Sequence, residues 1–184
     1  MTREQALGIL KENLKNKNLI KHCLAVETSM KGLAQKLNED IEQWGICGLI
    51  HDIDYEKTSG DESLHSKQGA DMLKELGFDK DIYKAVLTHN EAHGIEPESL
   101  MAKALFCVDP LTGLIVAATL VLPSKKISDL SCESVLKRFK EKAFAKGANR
   151  EIIKQCEQRL DLSLREFVDI ALSSMQTISD ELGL

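Results

Sequence analysis

Apolar positions recur at helical spacing along most of this chain. Cys23, Val26, Met30, Leu33 and Leu37 step by 3, 4, 3 and 4, which draws one stripe down a helix. Asn38-Glu-Asp ends that stripe and offers caps for the next helix, predicted over Ile41–His51. That second segment is apolar nearly all round, so it reads as a buried central helix. Gly45 and Gly48 weaken its propensity but let a neighbouring backbone come close.

A polar loop is predicted over Asp54–Glu62. A third helix follows, carrying His65, Gly69, Met72 and Leu76 on one face and ending at Gly77. Asp79 opens a fourth, with Ile82, Ala85, Val86, His89 and His93 aligned and Gly94 behind them. A fifth starts near Pro97 or Glu98 and reaches Leu122, with a kink or restart expected at Asp109 because Pro110 interrupts it. Helices over Ser131–Lys146, Asn149–Leu160 and Ser163–Leu184 complete the pattern. The expectation is an all-α, single-domain bundle of seven to nine helices over residues 1–184. Its core region spans about 21–113, and helices over 124–184 complete it.

Composition narrows the functional classes. The 184 residues suffice for one domain with a real core, and 43% hydrophobic with 29% charged is a globular balance. Aromatics are only 4%, so aliphatic side chains must build the core. The longest apolar run, Leu114–Leu122, falls short of the roughly 20 residues that cross a bilayer, which predicts no membrane partner. The first residues lack the basic-then-apolar plan of a signal peptide. Five cysteines without a CxxC pair favour free thiols, and a cytoplasmic location is expected. A net charge of −5 argues against a general nucleic-acid binder. The segment Lys125–Arg150 nonetheless carries eight basic and three acidic residues, hence +5, and leaves −10 on the rest. Such a run is usually a solvated face; here it is also a possible draw for an anionic substrate.

Four of the five histidines fall on inward faces or ends of separate helices, with Asp52 and Asp109 nearby in the chain. A buried imidazole alone is most often a hydrogen-bonded core residue. Several together require acceptors or a cation, and His with Asp from different helices suits a first-row metal. His93 stands four residues after His89 but adjoins Gly94, so it reads as a cap at a helix end. A thiolate zinc site using Cys23, Cys47 or Cys107 ranks below the His/Asp site, since cysteine commonly fills cores.

His22 in Lys-His-Cys-Leu-Ala-Val-Glu, then Gly48-Leu-Ile-His51-Asp52-Ile-Asp54, then Asp109 in Phe-Cys-Val-Asp-Pro-Leu-Thr-Gly, resembles the H…HD…D pattern of HD-superfamily phosphohydrolases. The stretch Leu111–Lys146 further resembles a subgroup of small bacterial HD proteins, from which Pro110 departs, because an acidic residue commonly stands there. The resemblance implies that His22, His51, Asp52 and Asp109 are metal ligands. It implies that His65 and His89 are second-metal or phosphate ligands, with Asp52 bridging if two ions bind. It implies a divalent transition metal (Fe, Mn, Ni, Co or Zn), one or two ions, and hydrolysis of a small phosphorylated substrate, a nucleotide or similar metabolite, by metal-activated water. Asp54 is a candidate to orient or deprotonate that water, as readily a loop cap. Lys57, Lys125 and Lys126 are candidate phosphate contacts. The alternative is a non-catalytic, nucleotide-sensing helical domain with a structural metal.

Overall fold

A computed structural model describes residues 1–59 and 61–184. Among the described residues the fold is helical, without strands. The central pair is α2 (Lys17–Leu37) against α3 (Ile41–Ile50), preceded by α1 (Arg3–Asn13). Asn38 leaves α2 in a left-handed conformation, and the Asp40 side chain accepts the Gln43 N–H to start α3, so the predicted break is also a double cap. A Cβ on Gly48 would stand 2.8 Å from the carbonyl oxygen of Val26, so glycine there sets how closely α3 lies on α2.

After α3 the chain turns through His51–Asp54 into a single helical turn, α4 (Tyr55–Thr58), within what reads from sequence as a loop. Gly60, in that same stretch, lies outside the described residues. Then come α5 (Lys67–Glu75) and α6 (Lys80–His89), with Gly77 at positive φ between them. His65 does not ride on α5 as its spacing predicts. Ser66 has φ 68°, which a helix cannot accommodate, so α5 begins one residue later. His93 likewise sits outside α6, in a 3-10 turn over Glu91–His93.

The long α7 (Leu100–Leu120) continues as one helix across Pro110, so of the kink or restart expected at Asp109 the restart does not occur. An interior proline costs about 3 kcal/mol. Thirteen buried side chains of α7, packed against α2, α6 and the C-terminal helices, outweigh that cost. By length and apolarity α7 passes as a membrane span, more than the sequence run suggested, but its apolar surface is largely turned into the bundle. The remainder is more finely divided than predicted: α8 (Cys132–Lys140), α9 (Arg150–Lys154), α10 (Cys156–Leu160), α11 (Leu164–Gln176) and α12 (Ser179–Leu182). Counting α1 and the short pieces gives twelve α-helical segments among the described residues, against seven to nine expected.

Candidate metal centre

Each histidine of the cluster reaches it from a different element. His22 projects from α2, His51 and Asp52 from the turn that ends α3, His65 from the turn before α5, His89 from the last residue of α6, and Asp109 from mid-α7. Their rings form a file: His22 to His51 is 5.1 Å between centroids, His51 to His89 5.1 Å and His89 to His65 5.0 Å, with Tyr55 5.1 Å beyond His65. Rings up to 38 positions apart in sequence thus lie side by side.

The outer nitrogens settle which way each ring is used. His51 Nδ1 donates to the Gly48 carbonyl at 2.8 Å and His89 Nδ1 to the Val86 carbonyl at 2.6 Å, because a carbonyl can only accept. His65 Nδ1 lies 2.9 Å from an Asp54 oxygen. Thr112 gives its hydroxyl proton to the Asp109 carbonyl, so its oxygen accepts from His22 Nδ1 at 3.3 Å. All four rings therefore carry their proton outward. All four Nε2 lone pairs point inward.

What they meet is oxygen. Asp52 Oδ1 lies 3.3 Å from His51 Nε2, 3.4 Å from His65 Nε2 and 3.4 Å from His89 Nε2. Asp109 Oδ1 lies 3.0 Å from His22 Nε2 and 3.7 Å from His51 Nε2. Asp52 Oδ2 stands 3.6 Å from His22 Nε2. Lone pairs facing lone pairs repel unless positive charge sits among them. His51 Nε2 is fully buried and has no hydrogen-bond partner, an orphan of the kind a metal satisfies. With protons as the only cations, burial opposes charging His51, yet Asp52 and Asp109 raise it to about 9. Burial likewise opposes charge on His65, but Asp52 and Asp54 raise it to about 10. Burial would raise Asp52 and Asp109, but the imidazoles hold both well below the usual carboxylate range. The cluster is built to hold positive charge.

Potential ligand atoms gather in two groups, His22–His51–Asp109 and His51–Asp52–His89. Mixed imidazole and carboxylate donors fit Mn, Fe, Co, Ni or Zn. The thiols contribute to neither group. Burial pushes Cys23 and Cys47 well up and Cys107 up to about 12, so none offers a thiolate.

A family model for the HD domain matches residues 19–114. The chain belongs to the HD-domain family. An uncharacterized protein of Methanocaldococcus jannaschii is 34% identical over 166 residues, covering 84% of this chain and 92% of its own. Ribonuclease Y of Oleidesulfovibrio alaskensis is 31% identical over 140 residues, 74% of this chain but only 27% of that protein. Ribonuclease Y of Nitratidesulfovibrio vulgaris is 30% identical over 142 residues, with the same coverage. This HD chain therefore spans about a quarter of those ribonucleases. No solved structure matches it. HD domains are in general metal-dependent phosphohydrolases, and the His/Asp groups here are of the kind that hold such a metal.

Other residues singled out from sequence fall elsewhere. Asp54 is 0% exposed and spends its oxygens on Gly69 N–H (2.8 Å) and His65 Nδ1 (2.9 Å), so it orients the His65 ring. Lys57 donates to Asn13 on α1, and neither hollow beside the cluster includes it. Lys125 and Lys126 lie past the end of α7, which carries the chain roughly 17 Å from Asp109. Neither hollow beside the cluster is lined by Lys57, Lys125 or Lys126. Lys146, from the same basic segment, is the one that lines the hollow by His22 and Asp109. His93 Nε2 donates to the His65 carbonyl at 2.7 Å, and the Asn90 amide donates to the carbonyls of Glu62 (2.9 Å) and His65 (3.2 Å). Together they tie down the turn that bears His65. Thr112, three residues after Asp109 on the same face, was the one orienting group whose spacing carried a signal.

Proposed function

We propose that this chain hydrolyses a phosphate ester of a nucleotide or other small phosphorylated metabolite, with a divalent transition metal in the His/Asp cluster. The observation that carries this reading is the common tautomer: four imidazoles anchored through Nδ1, with four Nε2 lone pairs turned onto Asp52 and Asp109. A purely structural histidine cluster has no need to aim every acceptor at a carboxylate. His22, His51, Asp52 and Asp109 would hold one ion, and His65 and His89 a second, with Asp52 between them. A bound ion of this class supplies Lewis acidity, lowering the pKa of a water and offsetting charge on phosphoryl oxygens. The chain's own part is to orient the ligands through Thr112, the Gly48 and Val86 carbonyls and Asp54, and to leave hollows at both ends of the file for water and ester.

The five free, buried thiols fit a reducing, cytoplasmic setting. The likeness to ribonuclease Y raises RNA as a substrate, but the −5 charge and short coverage favour a small one.

The test is to strip the protein, reload it with Mn, Fe, Co, Ni or Zn, and assay nucleotides, a chromogenic phosphate ester and an RNA oligomer. Turnover of small esters that disappears in Asp52→Ala is expected. Absence of turnover with every metal, or full activity in Asp52→Ala, would overturn the reading. RNA cleaved faster than any small ester would redirect it to the polymer.

A further inference from the structure

The file of rings has two ends, and a hollow opens at each. One, of about 370 Å³, is lined by His22 and Lys146. The other, of about 300 Å³, is lined by His65, Tyr55, Asn90, Glu62 and Glu91. Asp109, Pro110 and Gly147 belong to both and form the ridge between them. A molecule whose phosphate rests on the ligand cluster can extend over this ridge in both directions.

The two ends differ in charge. Among the described residues, the hollow beside His22 has Lys146 as its cation, and its carboxylate is the ligand Asp109. The hollow beside His65 has no lysine or arginine; it has the carboxylates of Glu62 and Glu91. Glu91 also receives the Asn149 amide at 3.1 Å, which leaves its negative charge in place. A second phosphate at that end would face two carboxylates, whereas sugar hydroxyls would find acceptors and an exposed tyrosine ring.

The loop that carries Lys146 is held in shape. The Arg150 guanidinium donates to the carbonyls of Phe144, Ala145 and Ala148, and Ala145 sits at φ 44°. Lys146 is therefore presented from a fixed backbone, with its side chain exposed.

We propose that the substrate is a nucleoside phosphoanhydride, lying along the file with its distal phosphate at Lys146 and its nucleoside against Glu62, Glu91 and Tyr55. This rests on the reading of the cluster as a metal-dependent phosphohydrolase and names the phosphoanhydride as the scissile bond, with the sugar–phosphate ester left intact. Water oxygen bonds to the phosphorus over the ligand cluster, and the bridging P–O bond to the distal phosphate breaks. The products are a nucleoside monophosphate and the distal phosphate, with the water's proton released to solution. Lys146 offsets the charge that grows on the departing phosphate.

The test uses metal-loaded full-length protein and two probes, a nucleoside monophosphate and the matching diphosphate with a methylene bridge, bound by calorimetry. Hydrolysis of the natural diphosphate is followed in parallel. The diphosphate analogue is expected to bind at least tenfold more tightly than the monophosphate, about what one charged hydrogen bond supplies. Lys146→Ala should abolish that preference, and Lys146→Glu should reverse it. An equal effect of Lys146→Ala on both probes, or no preference in the unaltered protein, would overturn the assignment while ester hydrolysis continued. Failure to bind either probe or hydrolyse any ester would remove the hydrolase reading and this one with it.

Discussion

Asp54 offers a sharp perturbation, because a one-atom change there rewrites a proton position without opening space. Its oxygens accept the Gly69 N–H and His65 Nδ1–H bonds at 2.8 and 2.9 Å. In Asp54→Asn, the Gly69 amide can only donate, so the side-chain oxygen must stay there and the NH₂ must face His65. Two donors then oppose each other. The conflict is relieved when the His65 proton moves from Nδ1 to Nε2, where a ligand needs its lone pair. Loss of such a supporting partner lowers metal affinity about 10- to 100-fold. In Asp54→Ala the buried Gly69 N–H also loses its acceptor, a cost of about 1–3 kcal/mol. At this chain length each kcal/mol moves the melting temperature by about 2–4 °C, so Asp54→Ala should melt roughly 2–12 °C lower. Asp54→Asn should melt close to the unaltered protein when both are metal-free. The assays are calorimetric titration of stripped protein with Mn or Zn, and thermal melts in chelator. The second equivalent should weaken in both variants, and the first should change little. An Asp54→Asn protein that binds two equivalents as tightly as the parent would refute the argument about the proton.

Gly48→Ala should destabilise by about 1–3 kcal/mol in chemical denaturation, because its Cβ meets the Val26 backbone at 2.8–2.9 Å; unchanged stability would show that α2 and α3 are not held that close. The pH response of the metal-free protein has a definite sign. His51 and His65, raised to about 9 and about 10 from an ordinary 6.5, give the folded state extra protons. That contribution is complete below about 6.5 and drains away as pH rises toward 9–10, so the metal-free melting temperature should fall across that range. Metal affinity should move oppositely, since ligation needs unprotonated rings; a flat metal-free profile would contradict the charge assignment. Asn90→Ala and His93→Phe should each weaken the second metal equivalent severalfold by loosening the turn that bears His65, read by metal-to-protein ratio after dialysis. An unchanged ratio would reduce those two residues to ordinary loop contacts.

Helical spacing made the central pair readable because α2 and α3 carry their own caps and their own close-approach glycine. The HD dipeptide could be found because it closes that apolar helix. His65 was misplaced because its spacing to Gly69 and Met72 is helical, while the positive φ of Ser66 that pulls it off the helix is imposed by tertiary bonds such as Ser66 Oγ to the Leu87 carbonyl at 3.1 Å. Pro110 suggested a break because proline's cost is local, whereas the packing that offsets it comes from elements far away in sequence. The basic segment was correctly seen as uneven charge, but composition cannot say which lysine faces a ligand. Lys146 does so only because Arg150 folds its loop over the ridge, and no periodicity encodes that. Asp54 reads from sequence equally as a loop cap or as a carboxylate free for chemistry; its burial against Gly69 and its bond to His65 reveal an orienting role.

The central claim is that imidazoles from four separate elements share a cation with Asp52 and Asp109. Anomalous diffraction from a crystal loaded with Mn or Zn tests it directly. A peak within bonding distance of His22 Nε2, His51 Nε2 and an Asp109 oxygen is predicted, with a second beside His65 and His89 at higher metal concentration. No peak among these side chains at saturating metal, or a peak bound only elsewhere on the molecule, would contradict the account.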